Sequence, residues 1–199
     1  MENLKIASFY YIHGFASGKS SSTCQKISER IPGAKALAYD SSKPFMQNLK
    51  SLASQIENDR EPCCIIGSSL GAFYAMSLSP FAHCCRGRIL INPSLAPKNS
   101  LKKYIGKCKN FETGSDFEFT QQVCNSYPEG LDFSALAPAI PTVALLAKDD
   151  EVLDYRASES ILKSHGIFVS YVSGGHRLRD YEALFAAIKQ IDAGAIKTA

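Results

Sequence analysis

No apolar run in this 199-residue chain approaches the ~18 residues that a membrane-spanning helix needs. The stretch Ile6 to Ile12 follows Lys5, but it is short, carries Ser8 and two tyrosines, and has Glu2 ahead of it. It reads as a first strand and not as the core of a signal peptide, so a cytoplasmic protein without membrane contact is expected. Charge of one sign is scarce as well. A net charge of +3, spread over scattered lysines and arginines, gives no reason to expect a nucleic-acid partner. Its one local group, Lys102, Lys103, Lys107 and Lys109, reads as a solvated helix face. There is no Cys-x-x-Cys pair among the seven cysteines, and their odd number argues for a reducing compartment over a disulfide framework. None of the four histidines has metal-ligand spacing to cysteines or carboxylates, His83-Cys84-Cys85 being the nearest approach, so neither metal nor other cofactor is expected. Internal repeats and low-complexity linkers are also absent.

What is there is the make-up of an ordinary globular domain, 45% hydrophobic and 21% charged, at a length that suits one domain over residues 1–199. Short apolar runs span Ile6–Ile12, Ala34–Tyr39, Cys63–Gly67, Arg88–Ile91, Pro141–Ala147 and Ile167–Val172. Several are continuously apolar, as strands covered on both faces are. Helix-period segments lie between them. Ser22 and Gln25 form a candidate capping box ahead of Ile27 and Ile31, and Leu49, Leu52, Ala53 and Ile56 make a stripe. Leu70 to Leu78 is apolar nearly all round and ends at Pro80. Ala157, Ile161 and Leu162 lead to Gly166 just past a helix end. Tyr181, Leu184, Phe185, Ile188 and Ile191 form the last stripe. This alternation predicts an α/β protein with three layers: a mostly parallel six-stranded sheet and helices on both faces. One excursion, Lys98 to Pro138, lacks a clear period and is rich in aromatics.

The strongest chemical signal is Gly67-Ser68-Ser69-Leu70-Gly71, which ends an apolar strand and opens an apolar helix. That is the setting of a nucleophile elbow in an α/β-hydrolase fold, with Ser69 projecting from a turn too tight for side chains at Gly67 and Gly71. In this fold an acid and then a histidine follow the serine. His176 leaves the last strand through Ser173-Gly174-Gly175, on the same sheet edge as Ser69. Lys148-Asp149-Asp150-Glu151 supplies the acid, with Asp150 preferred and Asp149 next. The oxyanion donors expected are the backbone N–H groups of Leu70 and Phe15, the latter after the strand end Ile12-His13-Gly14. His13 reads as a structural residue holding that loop. Tyr104, Phe111, Phe117, Phe119 and Tyr127 are expected to wall the pocket of a cap-like excursion over residues 98–138. The expected partner is a small acyl ester or thioester of short to medium chain length, and the lysines near 102 would suit an anionic leaving group.

The strings Tyr11-Ile12-His13-Gly14-Phe15, Ile65-Ile66-Gly67-Ser68-Ser69-Leu70-Gly71, Ile91-Asn92-Pro93-Ser94 and Asp150-Glu151-Val152-Leu153-Asp154-Tyr155-Arg156 occur in one order. That order resembles the small bacterial α/β-hydrolase esterases of the YqiA/YcfP type. The resemblance implies a compact esterase in which Ser69, Asp150 and His176 take the same three roles. Two features depart from it: Arg177-Leu178 after the histidine, and a loop Ala16-Ser17-Gly18-Lys19-Ser20 without proline. Two other classes compete. Gly18-Lys19-Ser20 imitates the end of a phosphate-binding loop, but only three residues separate it from Gly14 where four are needed. A hydrolase-like fold used purely for binding would not need all three triad positions.

Overall fold

The computed structural model describes residues 5–56, 60–78, 83–133 and 140–196. Pro80 and residues 134–138 of the excursion lie outside these. The chain runs β1 (Ser8–Ile12), α1 (Ser22–Arg30), β2 (Lys35–Leu37), α2 (Phe45–Ile56), β3 (Cys63–Ser68), α3 (Leu70–Ser77) and β4 (Cys85–Ile91). After α4 (Pro97–Leu101) and a 3₁₀ turn (Lys102–Tyr104) come β5 (Gly106–Lys109), β6 (Asp116–Phe119) and α5 (Gln121–Ser126). The last elements are β7 (Thr142–Ala147), α6 (Tyr155–Ser164), β8 (Phe168–Val172) and α7 (Tyr181–Asp192). No helix among the described residues is long and apolar enough to cross a membrane.

Six strands form one sheet in the order β2-β1-β3-β4-β7-β8, and every neighbouring pair is parallel. The continuous apolar runs follow from burial of both faces. Tyr10, Ile12, Cys63, Ile65, Leu90, Ala144 and Leu146 point to one core with α2 and α3. Their sequence neighbours Phe9, Tyr11, Cys64, Ile66, Ile89, Val143 and Leu145 point to the other, with α1 and α7. The chain steps from β1 outward to β2 and then back past β1 to β3. That reversal opens a crevice at the carboxyl ends of β1 and β3, where ligands of open α/β sheets bind.

Three local expectations shift. The cap of α1 is Ser21, whose Oγ accepts from Cys24 N–H at 3.3 Å, while Gln25 reaches back to Ser20 O at 2.9 Å. Three consecutive serines left that cap ambiguous by one residue. In α6 the buried face is Ser158 and Leu162, and Ile161 is exposed, because the helix touches the sheet only near its β7–β8 edge. The excursion holds an antiparallel hairpin, β5 with β6, between short helices. Lys102 and Lys103 sit on the 3₁₀ turn and Lys107 and Lys109 on the outer face of β5, so these four exposed lysines do not share a helix face.

The turn from β3 into α3 presses on β1. A Cβ at Gly71 would sit 2.1 Å from Ile12 O and 2.5 Å from His13 O, and one at Gly67 would sit 2.3 Å from Gly71 O. All of these obstacles are backbone, so a side chain at either position must move the sheet or the helix. Gly71→Ala is therefore expected to lower unfolding free energy by about 2 kcal/mol or more in urea titrations. Gly130→Ala, which meets nothing closer than 3.6 Å at an ordinary φ, should stay within about 0.5 kcal/mol of wild type. Equal effects would show that the turn is not sterically locked.

Candidate active site

Ser69, Asp150 and His176 all follow the carboxyl ends of sheet strands, β3, β7 and β8. Ser69 follows β3 with φ 54° and ψ −117°, a conformation a non-glycine residue adopts only under constraint. Its N–H bonds Ile91 O at 2.8 Å, and its carbonyl accepts from Ser94 N at 3.1 Å and from Ala72 N at 3.1 Å, so the strained turn is fixed by backbone on two sides. The loop after β1 runs alongside. A Cβ at Gly14 would touch Ser69 Cβ at 3.4 Å, so glycine allows the approach. His13 is buried, bonds Gly14 O through Nδ1 at 2.8 Å and stacks on Tyr39 at 4.4 Å. Burial pulls its pKa below the ordinary histidine value. The N–H groups of Phe15 and Leu70 have no protein acceptor among the described residues, the condition a pair of oxyanion donors must meet.

Asp149, Asp150 and Glu151 all hold the loop that carries His176, each at a different atom. Asp150 accepts from His176 Nδ1 at 2.9 Å, with 2% of the Asp150 side chain exposed and 17% of the histidine's. A carboxylate only accepts, so a neutral ring carries its proton on Nδ1 and leaves Nε2 as an acceptor. Val152 N–H and Leu153 N–H donate to the same Asp150 carboxylate at 2.8 and 2.9 Å. Burial alone would raise its pKa, but the bonds from His176, Leu153 and Val152 together hold it below the ordinary aspartate value. Asp149 instead accepts from Gly174 N–H at 3.2 Å, and Glu151 from His176 N–H at 2.9 Å. Backbone N–H donors from the histidine loop likewise depress both of these carboxyls, Gly174 leading for Asp149 and His176 for Glu151. Ser69 Oγ makes no hydrogen bond to His176 among the described residues; both groups line one cavity.

That cavity has a volume of about 570 Å³, within the range of small-molecule sites. Of the aromatics expected to wall it, Tyr104 and Phe111 do. Phe117 and Phe119 do not: both pack on the Phe15 ring, at 5.9 and 5.0 Å, and Phe119 is fully buried. Tyr127 is also in the core, bonded to Tyr74 OH at 2.9 Å. The alternation of β6 turns Phe117 and Phe119 inward, so they buttress the loop after β1 and stay off the cavity wall. Hydroxyls are the surprise, since nearly half of the lining residues carry one. Burial raises the Tyr11 phenol pKa, against hydrogen bonds from Ser21, Thr23 and Ser68. This polar wall continues to Glu112, whose carboxylate accepts from Ser20 N–H at 3.0 Å. A phosphate at the Gly18-Lys19-Ser20 turn would have to displace that carboxylate.

Asn92, Glu151 and Glu112 are the functional candidates that sequence reasoning gave no role. Asn92 carried a weak signal, a lone polar residue closing the apolar run of β4, whereas Glu112 reaches its partner across 92 residues and carried none.

Solved structures share this architecture. Alpha/beta hydrolase domain-containing protein 10 from mouse superposes with a TM-score of 0.68 at 15% identity, covering 97% of this chain and 91% of its own. The esterase domain from a Rhodothermus marinus protein gives 0.65 at 15% identity, covering 98% and 88%. Est1E from Butyrivibrio proteoclasticus gives 0.64 at 12%, covering 98% and 88%. Such distant likeness establishes the α/β-hydrolase fold. With the model of the uncharacterised protein family UPF0227 matching residues 8–193, the chain belongs to that family.

Proposed function

We propose that the protein is a serine hydrolase that cleaves a carboxylic ester or thioester through an acyl-enzyme on Ser69. One observation carries this: a nearly buried Asp150 bonded to His176 Nδ1 at 2.9 Å, opening on the cavity that also holds a serine strained to φ 54°. A serine hydroxyl is a weak nucleophile until a base takes its proton. His176 Nε2 takes it as Ser69 Oγ bonds to the substrate carbonyl carbon. Charge developing on the carbonyl oxygen is met by the free N–H groups of Phe15 and Leu70. The imidazolium, stabilised by Asp150, gives its proton to the departing alcohol or thiol. Water then attacks the acyl-enzyme by the same route, releasing the acid and restoring Ser69.

The cavity supports a short to medium acyl group against Phe15, Leu101, Tyr104 and Val152. Its hydroxyl wall favours a polar leaving portion, because burying an alkyl chain there would strip those hydroxyls of water without return. Esterases among the structural relatives are consistent with this chemistry.

Ser69→Ala should cost on the order of 10⁴- to 10⁶-fold in kcat with the fold retained, and Ser68→Ala far less. Asp150→Asn should cost about 10⁴-fold by mis-setting the histidine tautomer. Asp149→Asn, which loosens one loop contact at 3.2 Å, should cost much less. Steady-state hydrolysis of a nitrophenyl ester checks all four, and a Ser69→Ala enzyme keeping more than about a tenth of wild-type activity would end the proposal.

The three carboxylates that hold the histidine loop set the acid limit of stability. Asp149, Asp150 and Glu151 are all depressed in the folded state. Their contribution to stability is therefore full above the unfolded value of about 4 and is lost as pH falls through the lower folded values. The melting temperature should therefore fall as pH is lowered through that range, and a melting temperature unchanged down to about pH 3 would contradict the three loop contacts.

A further inference from the structure

We infer that Asn92 is a positioning residue for the His176 base, its side-chain amide clamping the histidine loop to the ends of β4 and β7. This rests on the serine-hydrolase reading above. Asn92 is 3% exposed and follows β4 with φ 42°, in the left-handed region that asparagine tolerates better than most residues. Its own N–H continues the sheet by bonding Leu145 O at 2.9 Å. Its side chain then reaches sideways. Nδ2 donates to Gly175 O at 3.1 Å and to His176 O at 3.0 Å, while Oδ1 accepts from Ala147 N–H at 2.8 Å. The two carbonyls require the donor and the N–H requires the acceptor, so the partners themselves fix which way the amide faces.

The bonded atoms give the clamp its meaning. Ala147 is the last residue of β7, three before Asp150, and the gripped carbonyl is that of His176 itself. One rigid amide plane thus joins the segments bearing both members of the Asp150–His176 pair. The loop it holds needs holding: Gly174 and Gly175 have φ values of 117° and 75°, where glycine is freest. Asp149 and Glu151 grip the same loop through the N–H groups of Gly174 and His176, and Asn92 grips its carbonyls. A proton transfer between Ser69 and His176 depends on placement to a fraction of an ångström, and residues that support reacting groups from behind typically carry about 10- to 100-fold in activity.

Two substitutions separate the clamp from the backbone it sits on. Asn92→Gly keeps the positive φ and deletes the side chain. Asn92→Asp keeps its shape and the Ala147 bond but turns a carboxylate oxygen on two carbonyls when ionised; when protonated, it can still donate once. Asn92→Gly is expected to lose about 10- to 100-fold in kcat with KM little changed. Asn92→Asp should lose more as pH rises, so that its activity relative to Asn92→Gly falls with pH. The rate of covalent labelling by a fluorophosphonate should drop in step with kcat/KM in both. Wild-type kinetics and labelling in folded variants, even at a lowered melting temperature, would overturn the inference and leave the hydrolase standing. Failure of wild-type enzyme to label would instead remove the hydrolase reading beneath it. If neither variant folds, hydrogen exchange of the Asn92 side-chain amide in wild-type protein decides: exchange as slow as core amides supports the clamp, and rapid exchange overturns it.

Discussion

The arrangement of this molecule turns on the contact between the start of α3 and the end of β1. With only hydrogen at Gly71, the helix comes so close to Ile12 O and His13 O that a methyl group there would overlap both. That approach brings Leu70 and the loop bearing Gly14 and Phe15 beside Ser69 on the wall of one cavity. Between Gly67 and Gly71 the chain passes Ser69 at φ 54°, and Ser69 lines the cavity. The strain is held by ordinary sheet and turn bonds to Ile91 and Ser94, which carry no chemistry themselves.

Away from that contact, the site is assembled by long-range ties. The hairpin of the excursion bonds the β1–α1 loop through Phe111 N–H to Ala16 O at 2.7 Å and Asn110 Nδ2 to Ser17 O at 3.2 Å. Phe15 is gripped from the same side by Tyr104, Phe117 and Phe119. The excursion therefore serves first to hold the β1–α1 loop and only in part to wall the cavity. At the other end of the edge, acidic side chains and one asparagine hold a glycine-rich loop that would otherwise wander.

The sheet and its order of elements were legible because strands buried on both faces are apolar throughout, and Cys63 to Ile66 could be little else. Ser69, Asp150 and His176 stood out because each follows the carboxyl end of a strand in an order the fold requires. What escaped detection depended on contacts across the fold. The strands of the hairpin have four residues each, too few to display a period. Phe119 and Phe111 look alike in sequence, yet one is fully buried and the other is two-thirds exposed, since strand alternation turns the first inward and the hairpin tip turns the second out. Asp150 was preferred to its acidic neighbours, but the contacts that Asp149 and Glu151 make, each to a different atom of a distant loop, left no mark in the sequence.

We propose that acyl groups pass through Ser69, activated by His176. It is tested most directly by acid-quenching the enzyme during turnover of a short acyl ester and weighing the peptide that contains Ser69. The expected result is that peptide carrying the acyl mass in wild-type protein, and no such adduct in His176→Ala. Turnover proceeding in wild-type protein with the acyl group found on another residue, or with Ser69 acylated equally well without His176, would contradict it.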